Sequence, residues 1–119
     1  LLYNKENEEK KDVAVMFSFT QNKRLGIPLP VLEMDWDRYS KETQQEILLQ
    51  WEKIRGKIPD RIKELENEIN VKQEMLNNES NFERSCQLNS EIAELASVIN
   101  DLWLWYRMNQ HVSQDRLHA

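Results

Sequence analysis

The chain has 119 residues, 39% hydrophobic and 31% charged, and its 21 acidic against 16 basic side chains leave a net charge of −5. Its 2 glycines and 3 prolines fall well below the roughly eight and six of average usage in a chain this long, which excludes a many-stranded sheet with its tight turns and points to long helices. The single cysteine, Cys86, excludes an intramolecular disulfide and a multi-cysteine metal site.

At the N-terminus, Leu1-Leu2-Tyr3 passes directly into charge without the apolar core of a signal peptide, and no apolar run approaches the roughly 20 residues of a membrane helix. A cytoplasmic, reducing location is the expectation, and the absent initiator Met suggests a processed or truncated start. Lys5, Glu6, Glu8, Glu9, Lys10, Lys11 and Asp12 make residues 1–12 a solvated arm or a frayed helix. Val13, Val15, Phe17 and Phe19 then alternate with Ala14, Met16 and Ser18, the period of a half-buried strand. A lone strand must pair with another copy, pair with a partner, or lie extended on helices, and the last is the expectation. Residues 20–35 contain Leu25-Gly26-Ile27-Pro28-Leu29-Pro30-Val31-Leu32, whose prolines disfavour helix before each of them. An extended strap across the helical core is predicted. A proline-containing ligand segment is less favoured, because it would expose the aliphatic side chains.

Helical spacing begins at Ser40. Ser40 suits an N-cap for a first helix over about 41–55 carrying Ile47, Leu48, Trp51 and Ile54, with Gly56 as its stop. Pro59 and Asp60 suit the first turn of a second helix, whose stripe Ile62, Leu65, Ile69 and Leu76 is interrupted by Lys72 before Asn77-Asn78-Glu79 ends it. Ser80-Asn81-Phe82-Glu83 reads as a capping box. Beyond it Leu88, Ile92, Leu95, Ile99, Leu102 and Tyr106 alternate steps of four and three, the heptad seam of a third helix to about residue 108. The short polar turn between the second and third helices predicts an antiparallel hairpin. The third helix is the longer, so the first helix is expected to cover its far end, with Ile47, Leu48, Trp51 and Ile54 against Ile99, Leu102, Trp103 and Tyr106.

Within that hairpin, Phe82-Glu83-Arg84-Ser85-Cys86-Gln87-Leu88-Asn89-Ser90-Glu91-Ile92 resembles the second helix of the UVR motif, a helical hairpin used for protein contacts, over at most residues 62–95. The sequence departs from that motif at Ser85-Cys86, where a small alanine pair is usual, at Asn89, where arginine is typical, and in a longer turn. What is shared is the pattern of a helical hairpin.

Leu102-Trp103-Leu104-Trp105-Tyr106 is apolar around the whole helix. With Leu104 about 200° from Leu102, one packing neighbour cannot cover the run, and Trp, Tyr and Arg are the residue types that dominate interface energetics. His111, Asp115 and His118 fall at i, i+4 and i+7, the spacing of three metal ligands on one helix face, but in a polar terminal segment. Glu33, Asp35 and Asp37 alternate like the opening of a calcium loop without its glycine or closing glutamate. Cys86 has no histidine before His111 to activate it, and Gly26 and Gly56 are too far apart for a phosphate loop. Lys53, Arg55, Lys57, Arg61 and Lys63 are interleaved with acidic residues, the composition of a solvated face rather than a phosphate-binding one.

The expected fold is all-α: an antiparallel helical hairpin with a third packed helix and an extended N-terminal segment, divided into an arm and strap over 1–39 and a three-helix domain over 40–119. The expected function is non-catalytic protein–protein interaction, as a small regulator or adaptor without cofactor, metal or membrane. Its interface is expected at Trp103, Leu104, Trp105, Tyr106 and Arg107, binding a protein partner or a second copy as a dimer. The alternative is a nucleic-acid-associated regulator using the basic junction between the first two helices. A metal-dependent enzyme built on the His111 face ranks third.

Overall fold

The computed structural model describes residues 16–117, with side chains described as far as Met108. They form two compact units, one ending at Ile54 and the other beginning at Arg55.

The first unit opens with a β-hairpin. Strand β1 (Phe17–Asn22) runs antiparallel to β2 (Ile27–Leu32), with Asn22 opposite Ile27 and Phe17 opposite Leu32. This sheet corrects the all-α expectation, and it corrects the isolated strap as well: the strand's partner is the proline-bearing segment itself. Proline is compatible with a ladder wherever its nitrogen faces away from the neighbouring strand. The Glu33 amide donates to the Met16 carbonyl at 3.0 Å, so alternate pairs along the ladder, Ser18 with Val31, Thr20 with Leu29 and Asn22 with Ile27, are the hydrogen-bonded ones. Pro28 and Pro30, opposite Gln21 and Phe19, occupy the intervening pairs. Their spacing of two puts both missing donors on the outer edge. The turn is set by Asn22, whose Oδ1 accepts the Leu25 amide at 2.9 Å and whose carbonyl accepts the Gly26 amide at 2.8 Å. Gly26 has φ 77°, a conformation that costs a residue with a Cβ about 1–2 kcal/mol.

At the hairpin's open end the Tyr39 hydroxyl accepts from the Glu33 amide at 3.2 Å and donates to the Met16 carbonyl. A 3₁₀ turn, Trp36–Arg38, brings Tyr39 there. Buried Phe17, Tyr39 and Ile47 form the local core, with Met16, Phe19, Met34 and Trp36 packed around it. The outcome for β1 is half-burial: Phe17 and Phe19 share the covered face, while Ser18 and Thr20 on the other are exposed. Helix α1 (Lys41–Arg55) supplies Ile47. The Ser40 hydroxyl accepts the Thr43 amide at 3.2 Å and so caps α1 as the sequence predicts. The helix stops before Gly56, but without a left-handed cap, since Gly26 alone among the described residues has a positive φ.

The second unit is the helical hairpin. Helix α2 (Ile58–Asn77) carries Pro59 in its first turn and buries Ile58, Ile62 and Leu65. Helix α3 (Phe82–Leu117) begins one turn of polar residues later. The Ser80 capping box does not form: Asn81 is the cap, its Oδ1 accepting the Arg84 amide at 2.9 Å, while its own amide donates to Glu79 Oε1 at 3.0 Å. Asn caps as well as Ser, and here the acidic partner precedes the cap instead of following it. At its other end α3 continues to Leu117, past the expected stop near 108.

Lys72, which breaks the apolar stripe of α2, bonds Glu91 Oε2 on α3 at 3.2 Å, and Arg84 approaches Glu91 Oε1 at 3.9 Å. Leu65 on α2 and Val98 on α3 are both nearly inaccessible, at 2% and 3%. Among the described side chains of α3 the fully buried ones are Leu88 and Leu102 at 0%. Ile92, Leu95, Ile99 and Tyr106 are half-buried. The seam is thus centred one position N-terminal of the expected 92–99–106 shoulder, on Val98 rather than Ile99.

Candidate functional site

The candidate site is the stretch of α3 level with and beyond the start of α2. Helix α3 has 36 residues against the 20 of α2, and the short connection at residues 78–81 joins the end of one to the start of the other, so the C-terminal part of α3 runs past the start of its hairpin partner.

The five expected interface residues separate by depth. Leu104 is 50% exposed and Trp103 38%, whereas Leu102 beside them is at 0%. Trp105 and Tyr106 are half-buried and Arg107 is exposed. This follows from 100° per residue: with Leu102 in the seam, Leu104 points to the opposite side, and Trp103 and Trp105 flank it. Trp103 packs edge-to-face on Tyr106, ring centroids 5.6 Å apart and planes at 87°. Arg107 Nε donates back to the Trp103 carbonyl at 3.3 Å. Both contacts span about one helical turn, so they hold the Trp103 and Arg107 side chains against their own helix.

Two participants are absent from the expected set. Arg55 places its guanidinium 4.4 Å from the Tyr106 ring centroid and donates from Nε to the Tyr106 carbonyl at 2.9 Å, combining a cation–π contact with a hydrogen bond. Nothing in its spacing links Arg55 to a residue 51 positions away. Met108, 53% exposed, extends the surface one turn beyond Leu104, and its i+4 spacing from Leu104 was readable in the sequence.

Other candidate chemistry disperses. Cys86 is exposed and unbonded to another cysteine. Among the described residues no three His, Cys, Asp or Glu side chains converge on a metal position. The side chains of His111 and Asp115, and His118 altogether, lie outside the described residues. In the basic junction Arg61 bonds Glu64 at 3.1 Å, and Lys53, Lys57 and Lys63 are exposed. No described helix is long and apolar enough to cross a membrane. No protein-family model, curated protein or solved structure matches the chain.

Proposed function

We propose that this chain is a non-catalytic protein-association module, a small regulator or adaptor, that holds a partner protein on the outward face of α3 and associates with a second copy of itself. The observation carrying the reading is the adjacency of Trp103, Leu104, Arg107 and Met108, with Leu104 half exposed at 50% in the middle of them. Trp and Arg are the side chains most often found as energetic anchors of interfaces, and here the edge-to-face contact with Tyr106 and the bond to the Trp103 carbonyl restrict both before a partner arrives. Restriction beforehand lowers the ordering cost of binding. The nucleic-acid alternative draws on the lysines of the α1–α2 junction, but Arg61 there is engaged by Glu64 and the whole chain carries −5.

The test uses two baits in native lysate, the full chain and its Leu104→Ser variant, with mass spectrometry of what each retains. Leu104 is outside the seam, so the variant stays folded. Proteins retained by the full chain and lost by the variant support the reading. Identical sets on both baits refute it.

A further inference from the structure

The two edges of the hairpin differ in kind. On β2 the outward-facing positions include Pro28 and Pro30, which have no N–H to offer. On β1 the outward-facing amides and carbonyls belong to Phe17, Phe19 and Gln21, the residues of the intervening pairs, and no described strand meets them. Sheet edges that remain single are ordinarily protected by charge, proline or a bulge. β2 has such protection. β1, with the sequence Phe-Ser-Phe-Thr-Gln-Asn, has neither charge nor proline over its whole length.

We propose, building on the association reading, that two copies of this chain pair through β1, antiparallel about a two-fold axis, to make a four-stranded sheet in the order β2–β1–β1–β2. The occupant is a second copy because the edge is self-complementary: an uncharged strand meets its own image without like-charge repulsion, and an antiparallel edge offers donors and acceptors in the same order to both sides. The assembly also closes. Each copy has one open and one proline-bearing edge, so pairing the open edges leaves outside the β2 edges, where Pro28 and Pro30 offer no donor, and growth stops at two.

Burial selects the register. Phe17 is at 8% exposure, which covers its backbone, whereas Gln21 is exposed and Phe19 half-buried. Centring the axis on Thr20 sets Phe19 opposite the partner's Gln21 and Gln21 opposite the partner's Phe19, with an amide and a carbonyl exchanged at each pair. Thr20 then faces the partner's Thr20 on the exposed side of the sheet. The contact with the second copy thus lies on the hairpin, and the α3 face is left for a different protein.

Sedimentation of four full-length proteins tests this. The Gln21→Pro variant removes one outward donor and no hairpin bond, since Gln21 lies opposite Pro28. The Thr20→Lys variant sets two ammonium groups against each other at the axis, where directly opposed like charges are unfavourable, and Thr20→Glu supplies the complement. The unaltered chain is expected at twice its 14.3 kDa mass. Gln21→Pro and Thr20→Lys are expected at the single-chain mass with unchanged far-ultraviolet circular dichroism. An equimolar mixture of Thr20→Lys and Thr20→Glu should regain the dimer, and Leu104→Ser should keep it. If Gln21→Pro does not fold, the Thr20 pair decides. A monomeric parent chain, or a dimer that survives Thr20→Lys, overturns the proposal. So does a dimer lost only in Leu104→Ser, a result that would leave the α3 association reading standing.

Discussion

Truncating Leu102 and Leu95 in parallel measures how the helical hairpin is held together. Both occupy the predicted heptad seam, yet Leu102 is at 0% exposure while Leu95 is half-buried. Leu→Ala removes three carbons, worth about 2.4 kcal/mol at about 0.8 kcal/mol each when fully buried. At Leu102 solvent cannot refill the space, and a residual cavity raises the expected loss to about 3–4 kcal/mol. At Leu95 up to about a third of the transfer contribution was never gained, and water reaches the vacated volume, so about 1.5–2 kcal/mol is expected. Urea titration followed by circular dichroism, at concentrations low enough to keep association constant among variants, gives both numbers, and an unchanged slope with denaturant confirms that the same surface unfolds. Equal losses at the two positions would refute the reasoning. They would mean that the Leu95 side of the hairpin is covered in solution as completely as the Leu102 side.

Asn81→Ala should cost about 1 kcal/mol through loss of the α3 cap, while Ser80→Ala should change stability by less than about 0.5 kcal/mol, both read as denaturation midpoints. The reverse order would restore the Ser80 capping box. Tyr39→Phe removes the hydroxyl that joins Met16 to Glu33 and should cost about 0.5–1.5 kcal/mol. An unchanged denaturation midpoint would remove the Tyr39 hydroxyl from the hairpin's end.

What could be read in advance divides along physical lines. Helices α1 and α2 declared themselves through local features: Ser40 before an apolar period, Pro59 and Asp60 at a start, Asn77-Asn78 at a stop. The hairpin of strands was hidden by a local rule applied without its geometric exception. Prolines argue against a ladder one at a time, but Pro28 and Pro30 at a spacing of two both face outward, and that is visible only when a partner strand and its register are considered together. Val98 over Ile99 is of the same kind: steps of four and three fit either residue, and the crossing of α2 with α3 decides which goes deeper. Asn81 displaced Ser80 because adjacent residues of nearly equal capping strength leave the start of a helix open by one position. At the candidate site the 100° rotation per residue already set Leu102 and Leu104 on opposite sides, and their exposures of 0% and 50% agree. The contribution of Arg55 to Tyr106 depends on tertiary proximity and has no sequence signal.

Lys72 and Glu91 bear on alignment more than on strength. At 28% and 34% side-chain exposure their ion pair contributes at most about 1 kcal/mol. A repetitive apolar stripe, however, tolerates sliding, because one aliphatic residue replaces another at each turn. If α2 slipped along α3 by one turn, the Lys72 ammonium would leave Glu91, which would keep only Arg84 of its own helix, 3.9 Å away, as a counter-charge. The single charged layer therefore makes every displaced alignment of the two helices worse than the native one. A hairpin fastened in this way presents the same residues beyond its end in every molecule.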